Sequence, residues 1–339
     1  MEEVARMYGY DNFEATTITA SFTGAINQLG EDLIRRIKEY LAFRCDMQEI
    51  FTYPWMSDEC VGAIFPSTDG ILALATPPSP TEKYLRASLL PNICKAVVKN
   101  EHSFESFGLF EDAKVFIDRD WTNEYPNETL PGQERHIGLA FAGKPETAEK
   151  LFLRAKGVIG SMPRYTHMEG FEFRRVEKPY WADGAAWLNI YRGDEKIGDM
   201  ALLSKKSAAA CGIKVLSAVL AEIDLGKLVP FRSRTNKFSH LPEFPENTFD
   251  ISVLIDSSVK WSEIYEAIIG KRAEGDLLRE VLFVDEYRGR QIPEGKKSVT
   301  VRLVIASDEK TLTGEEIEGV ASSVMRKITH KLNADVRTK

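Results

Sequence analysis

The sequence predicts an α+β protein with two or three domains, the largest of which is built on a mainly antiparallel sheet. Its 339 residues exceed what a single hydrophobic core usually serves. The spacing of short β-prone runs with intervening helical stripes is typical of such a sheet. A polar stretch at 236–247 contains two prolines and predicts the boundary between the domains.

The composition excludes several classes of protein. With 43% hydrophobic and 28% charged residues, it is that of a soluble globular protein. No apolar run approaches the roughly 18 residues of a membrane helix, and no secretory pattern follows Met1. The four cysteines form no CxxC pair, which favours reduced thiols and a cytoplasmic location. The net charge of -7 argues against bulk charge attraction to nucleic acid but allows one local RNA-binding patch.

The first 240 residues predict a series of strands and helices. The segment Glu2–Tyr10 predicts a short amphipathic helix that ends at Gly9. A longer helix is predicted from Asn27, a plausible N-cap, to Phe43. A strand is predicted at 50–55, where Pro54 ends it. Further helices are predicted from Pro91 and over 147–159, and further strands over 104–117, 136–142, 184–191, 197–203 and 218–223.

The last hundred residues predict a compact second domain with elements in the order β-α-β-β-α-β. This order is the ferredoxin-like arrangement, which specifies a fold more strongly than a function. Thr313 and Glu316 have the spacing of a capping box at the start of the second helix. The predicted elements are Phe249–Ile255, Trp261–Ile269, Leu277–Val284, Ser298–Ala306, Thr313–Leu332 and Ala334–Arg337.

A hairpin in this second domain is a candidate RNA-binding feature. Asp285 and Tyr287 are two residues apart on the outgoing strand, so both side chains are expected on one face of the sheet. An aromatic ring and a carboxylate near basic residues can stack on and hydrogen-bond an unstacked RNA base. An ordinary solvated hairpin remains the alternative. The cations of the hairpin are Arg288, Arg290, Lys296 and Lys297.

Catalytic and metal-binding motifs are not evident in the sequence. It contains neither a GxxxxGK[ST] phosphate loop nor a GxGxxG that opens a helix. The five histidines lack the spacing of metal ligands, so we interpret each as structural or solvated. Glu2 and Glu3 are adjacent acids, which the residues alone indicate as a solvated helix start rather than a cation site.

Several segments, taken in order, resemble one known family. They are EEVARMYGYD from Glu2, YLRASLLPNI at 84–93, LFEDAKVF at 109–116, AEIDLGKL at 221–228, VDEYRG at 284–289, GKKS at 295–298 and TLTGEE at 311–316. The set is similar to the C-terminal half of the beta subunit of bacterial-type phenylalanine–tRNA ligase. This resemblance implies a remnant of a helical B5 domain over 1–17 and a class II aminoacyl-tRNA synthetase-like module over 18–240. It implies a ferredoxin-fold anticodon-binding domain over 245–339.

The resemblance implies that the larger module lacks an active site. Class II enzymes bind ATP through an arginine shortly before a glutamate, whereas Leu109 and Phe110 precede Glu111 here. The arginine that closes the glycine-rich segment is also missing, since AEIDLGKL ends in Lys227 and Leu228. The chain alone is therefore predicted to be inactive. An alpha subunit in an (αβ)2 heterotetramer would use ATP and Mg2+ to charge tRNA(Phe).

The resemblance also implies specific binding residues. The anticodon-contacting positions fall on Asp285, Tyr287 and Ser298, and Arg288 and Lys297 are predicted as further anticodon-binding residues. Tyrosine can stack on a base, and aspartate can accept a hydrogen bond from a base amino group. Glu2 and Glu3 fall on acids that share a Mg2+ ion with the alpha subunit. Two further aspartates of that site precede the sequence given, so we expect no metal to stay bound to this chain alone.

Two other functions fit the same sequence. One is a free-standing tRNA-binding, RNA-binding or interaction paralogue that kept the folds without the ligase role; a co-purifying alpha subunit would count against it. The other is a small-molecule regulatory module, since ferredoxin-like domains also bind amino acids; a calorimetric titration with phenylalanine would detect it.

Overall fold

The computed structural model describes residues 1–21, 24, 29–120, 131–229, 243–270, 277–289 and 291–337. The chain divides into two compact units, Met1–Asn236 and Lys237–Lys339. Within the described ranges, no helix is both long and apolar enough to cross a membrane.

The larger unit begins with a short helix that ends at Gly9, whose φ of 92° suits a residue without a Cβ. The second helix continues into a π-helical turn, Tyr40–Arg44. The helices are α1 (Glu2–Tyr8), α2 (Leu29–Glu39), α3 (Asp58–Ile64), α4 (Leu90–Asn100), α5 (Ala148–Thr166) and α6 (Lys205–Cys211). The strands are β1 (Gln48–Glu49), β2 (Trp55–Met56), β3 (Tyr84–Leu85), β4 (Ser106–Asp120), β5 (Pro131–Gly143), β6 (Glu172–Arg174), β7 (Ala182–Arg192), β8 (Glu195–Leu203) and β9 (Ser217–Asp224).

One seven-stranded sheet organises this unit, in the order β1-β4-β5-β9-β8-β7-β6. Neighbouring strands are antiparallel except β1 and β4. The core on one face includes α2 and α5 and buries Ile37 and Phe141 completely. The core on the other face includes α3, α4 and α6 and buries Ile93 and Leu220 completely. The predicted, mainly antiparallel sheet is confirmed.

The strand predicted at 50–55 is wrong. Strand β1 ends before this stretch, β2 overlaps it only at Trp55, and β2 pairs with β3 rather than with the large sheet. Between β1 and β2 the amide and hydroxyl of Thr52 donate hydrogen bonds to the Glu111 carboxylate. A side-chain acceptor therefore takes the place of a neighbouring strand here. Asn27, the predicted N-cap of α2, lies outside the described residues.

The smaller unit has the predicted order of elements. They are β10 (Asn247–Asp256), α7 (Trp261–Ile269), β11 (Leu278–Tyr287), β12 (Lys296–Ile305), α8 (Gly314–Leu332) and β13 (Asp335–Arg337). The strands are antiparallel in the order β11-β12-β10-β13, which is the ferredoxin-like arrangement. Helices α7 and α8 share one core with the sheet, in which Ile264, Val301 and Ile328 are buried. Thr313 and Glu316 form the predicted capping box. The predicted fold class is confirmed.

Candidate nucleic-acid interface and closed sheet face

One face of the smaller sheet is polar. Along β12 the apolar residues are buried against the helices, whereas Ser298 and Thr300 are turned to the opposite face. On the neighbouring edge strand, Tyr287 is opposite Ser298 and Asp285 is opposite Thr300. Residues directly opposite each other in a sheet share a face. We call this surface the polar face; its residues include Asp285, Tyr287, Ser298, Thr300, Arg302 and Asp250.

A β-bulge at Val284 determines which face Asp285 and Tyr287 occupy. Phe283 and Asp285 pair with consecutive residues of β12, so Val284 is an extra residue on β11. Phe283 lies on the helix side, where its ring centroid is 5.4 Å from that of Trp261. Without the bulge, strict alternation would place Asp285 and Tyr287 on that same side. The prediction that the two residues share a face is confirmed, but the bulge is what turns them away from the helices.

The Tyr287 ring is accessible. Half of the residue is exposed, at 50%. A Cβ at Gly289 would lie 2.1 Å from the Tyr287 hydroxyl oxygen, so the ring lies across this glycine. An exposed ring backed by glycine can accept a stacked base without displacing another side chain.

The side chains of Lys297 and Arg288 both contact Glu286. Lys297 is buried on the helix side, and its Nζ lies 3.0 Å from Glu286 Oε2. Arg288 Nη2 lies 2.7 Å from Glu286 Oε1. Burial raises the pKa of the Glu286 carboxyl, but the hydrogen bonds from Lys297 and Arg288 lower it by more, so the pKa lies below its ordinary value. Both predicted anticodon-binding cations are thus engaged by Glu286, and Lys297 lies on the face opposite to Tyr287.

Ion pairs neutralise other charges at this sheet. Arg302 makes a bidentate contact with Asp250, at 2.7 and 2.8 Å, and Lys296 Nζ lies 3.1 Å from Asp335 Oδ2. Arg290 lies outside the described residues. Cations that are already paired contribute little to phosphate binding, which agrees with the negative net charge of the chain.

Glu2 and Glu3 lie on α1, where both are exposed. Arg6 is ion-paired with both, at 2.6 Å to Glu2 Oε1 and 3.0 Å to Glu3 Oε1. Mg2+ demands octahedral oxygen ligands and competes poorly with a guanidinium that already holds the carboxylates. These two residues do not by themselves fit a magnesium site.

A row of polar residues crosses the larger sheet. Glu111 on β4 is opposite Gly138 on β5, which is opposite Glu222 on β9. Glu222 is opposite Asp199 on β8, and Asp199 is opposite Asn189 on β7. All five therefore share one face. We call Glu111, Glu222 and Asp199 the carboxylate row.

The carboxylate of Glu111 is fully buried and fully engaged. Arg86 Nη1 donates to Glu111 Oε1 at 3.0 Å, and the Thr52 hydroxyl donates to Oε2 at 2.8 Å. Arg86 is itself oriented by a bond from its Nε to the Lys114 carbonyl, at 2.6 Å. The cation at Glu111 thus comes from the segment before α4, not from the strand residues that precede it.

The carboxylate of Glu222 is likewise occupied by hydrogen-bond donors of the chain itself. It accepts hydrogen bonds from the Ser88 hydroxyl at 2.5 Å and from the Leu89 amide at 2.9 Å. Its Oε1 also lies 2.9 Å from His136 Nδ1. A Cβ at Gly138 would lie 2.5 Å from a side-chain carbon of α4, so this helix rests directly on the sheet. The chain's own segment 84–93 covers this part of the face.

A cavity lies on the same sheet face, beside the part that segment 84–93 covers. It has a volume of about 660 Å³. Asp199 lies at its wall and is bonded to Asn189 Nδ2 at 2.6 Å and Lys196 Nζ at 2.9 Å. Its lining includes Ser88, Trp181, Lys196, Asp199 and Glu222.

Two family models match the chain. The model described as phenylalanyl tRNA synthetase beta chain CLM domain matches residues 14–225, and the ferredoxin-fold anticodon binding domain model matches residues 242–337. The chain belongs to the phenylalanyl-tRNA synthetase beta chain family. The resemblance predicted from the ordered segments is therefore confirmed.

Individual relatives agree with this family. The phenylalanine–tRNA ligase beta subunit of Clostridium acetobutylicum is 27% identical over 99% of this chain and 41% of its own length. The Bacillus subtilis beta subunit is 27% identical over 99% of this chain and 42% of its own length. The chain thus spans about two fifths of the length of these curated relatives. The solved pyrrolysyl-tRNA synthetase of Desulfitobacterium hafniense has a TM-score of 0.45 at 15% identity, covering 59% of this chain and 67% of that chain.

Sequence reasoning placed Asp285, Tyr287 and Ser298 together but missed the contacts of the carboxylate row. Arg86 and Glu222 both lie in segments that carried the family resemblance. Their partners are 25 and 86 or more residues away, so spacing offers no signal for them.

Replacing Arg86 with Met should strongly destabilise the larger unit. The substitution leaves the Glu111 carboxylate buried without its cation, which typically costs about 3–5 kcal/mol of unfolding free energy. Urea unfolding followed by circular dichroism measures the change. The matched control is Arg35→Met, which removes exposed pairs with Asp32 and Glu39 and should leave the midpoint unchanged. Equal midpoints for the two variants would contradict a structural role for the buried pair.

Proposed function

We propose that this chain is a non-catalytic portion of the beta subunit of a phenylalanine–tRNA ligase. It would scaffold the alpha subunit in an (αβ)2 assembly and bind the anticodon of tRNA(Phe) in the cytoplasm. The observation that carries this proposal is the placement of Asp285, Tyr287 and Ser298 on one exposed face of a domain in the anticodon-binding family. The domain division at 1–17, 18–240 and 245–339 belongs to the same proposal.

The polar face supplies the chemistry of base recognition. The exposed Tyr287 ring would stack on a base, and the Asp285 carboxylate would accept hydrogen bonds from a base amino group. The Ser298 hydroxyl, on the same polar face, can donate or accept a hydrogen bond. The alpha subunit or other parts of the beta subunit would supply most of the contacts to phosphates, because the two cations described on this face, Lys296 and Arg302, are ion-paired.

An exposed aromatic segment supports docking of the alpha subunit. Phe43, Phe51 and Tyr53 are 85%, 81% and 70% exposed, and the rings of Tyr53 and Trp55 stack at 4.5 Å. They lie next to β1, which is at one edge of the seven-stranded sheet. Large exposed aromatic side chains mark protein interfaces more often than free surface.

Amino acid activation would belong to the alpha subunit. The carboxylate row of this chain binds Arg86, Thr52, Ser88 and the Leu89 amide, and the arginines of a class II ATP site are missing from the matching segments. ATP and Mg2+ are therefore assigned to the assembled ligase. A shared Mg2+ near Glu2 and Glu3 would need further ligands from outside this chain and release of Arg6.

Tyr287→Ala should weaken tRNA(Phe) binding by roughly 1–3 kcal/mol, the typical loss for one stacked base. Fluorescence anisotropy across a salt series measures the change, with alpha subunit added if the chain alone binds too weakly. Tyr265→Ala is the matched control, because this tyrosine is 40% exposed but lies on α7, on the opposite side of the sheet. Equal affinities of wild type and Tyr287→Ala would rule out the stacking role, as would an equal loss in both variants.

Phe51→Ala combined with Tyr53→Ala should weaken association with the alpha subunit at least tenfold, because both exposed rings would lose their burial in the interface. Analytical ultracentrifugation of mixed subunits measures the dissociation constant. Val176→Ala removes another residue that is 67% exposed and serves as the control. If the double variant assembles like wild type, the docking segment lies elsewhere.

A further inference from the structure

A cluster of an imidazole and carboxylates lies at the ends of two neighbouring strands of the larger unit. Glu134 and His136 are two residues apart on β5, and Glu222 and Asp224 are two residues apart on β9. His136 is directly opposite Asp224, so all four side chains share one face. One ligand atom each from Glu134, His136 and Asp224 lie within 4.8 Å of one another.

The orientation of His136 leaves one ring nitrogen facing the cluster. Its Nδ1 lies 2.9 Å from Glu222 Oε1, and Glu222 is itself fixed by donors from Ser88 and Leu89. A carboxylate that accepts the Nδ1 proton leaves the lone pair of a neutral imidazole on Nε2. Carboxylates play this orienting role behind many metal-ligating histidines.

The Nε2 atom of His136 needs a cation or a proton beside it. It is shielded from solvent and has no hydrogen-bond partner within the described part of the chain. Glu134 Oε2 lies 3.4 Å away, so a neutral imidazole would turn its lone pair toward a carboxylate. This arrangement is repulsive unless a positive charge lies between the two atoms.

The charge of the cluster favours a cation. Three carboxylates surround His136, while Lys227 Nζ lies 3.9 Å from Asp224 Oδ2 and Arg86 is bound to Glu111. Metal binding to histidine displaces any proton held at the ligating nitrogen.

We propose that Glu134, His136 and Asp224 form a binding site for a divalent transition-metal ion of the Zn2+ type. The ligands would be Nε2 of His136 and one oxygen from each of the two carboxylates, with Glu222 orienting the ring from behind. One imidazole and two carboxylates suit Zn2+ better than Mg2+, which prefers oxygen ligands alone. Three protein ligands leave a further position for water. The site is distinct from Glu2 and Glu3 and does not depend on the proposed function.

Isothermal titration of the metal-free chain with Zn2+ tests this site. We expect one equivalent to bind saturably, with at least tenfold weaker affinity in Glu134→Gln and His136→Asn. Glu222→Gln should lower the affinity roughly 10–100-fold, as expected for loss of an orienting carboxylate. His102→Asn is the control, since this histidine is exposed and has one carboxylate, Glu101, at 3.9 Å; it should bind like wild type.

Substitution with Co2+ separates this site from the four cysteines. Ligation by nitrogen and oxygen gives visible d–d bands without the near-ultraviolet band of a cobalt thiolate. Glu134→Gln is conservative and affects a residue that is 28% exposed, so it keeps the test valid if His136→Asn fails to fold. Three outcomes would each overturn the proposal: no saturable binding, unchanged binding in Glu134→Gln, or a thiolate band from the bound ion.

Discussion

The buried ion pair between Arg86 and Glu111 is the contact on which the larger unit depends. Removing charges from water is tolerated only where donors satisfy nearly every acceptor, and Thr52 completes the set at Glu111. Ser88 and the Leu89 amide do the same for Glu222. Together these bonds hold segment 84–93 across the carboxylate row. The carboxylates Glu111 and Glu222, which could otherwise bind a ligand, therefore bind other parts of the chain. Such a covered sheet face agrees with a structural rather than a catalytic role for this unit.

In the larger unit the polar sheet face is covered, whereas in the smaller unit the polar face is exposed and its described cations are ion-paired. The bulge at Val284 turns Asp285 and Tyr287 away from the helices. Glu286 is left on the helix side, where Lys297 pairs with it. The charged side chains described at Lys296, Lys297, Arg288 and Arg302 are thus each ion-paired, and an aromatic ring beside a carboxylate remains available. Local recognition of a base by such a surface is compatible with a negatively charged chain.

Local patterns were sufficient for much of the fold. The bounds of α7 and the capping box of α8 follow from apolar spacing and from Thr313 with Glu316. The bulge could not be predicted, since it depends on the register between two strands. The strand expected at 50–55 failed because Thr52 bonds to a side chain 59 residues away. Sequence spacing likewise gave no sign of Glu222 beside His136, because pairing of β5 with β9 brings them together.

Phenylalanine-dependent exchange of pyrophosphate into ATP is the most direct test of the closed carboxylate row. The purified chain alone should show no exchange above background, because Glu111 and Glu222 are already bound by the chain's own donors. Exchange should appear when the alpha subunit is added, because the proposed function assigns amino acid activation to that subunit. Exchange by the chain alone that is abolished by Glu111→Gln or Glu222→Gln would show that the row is an active site.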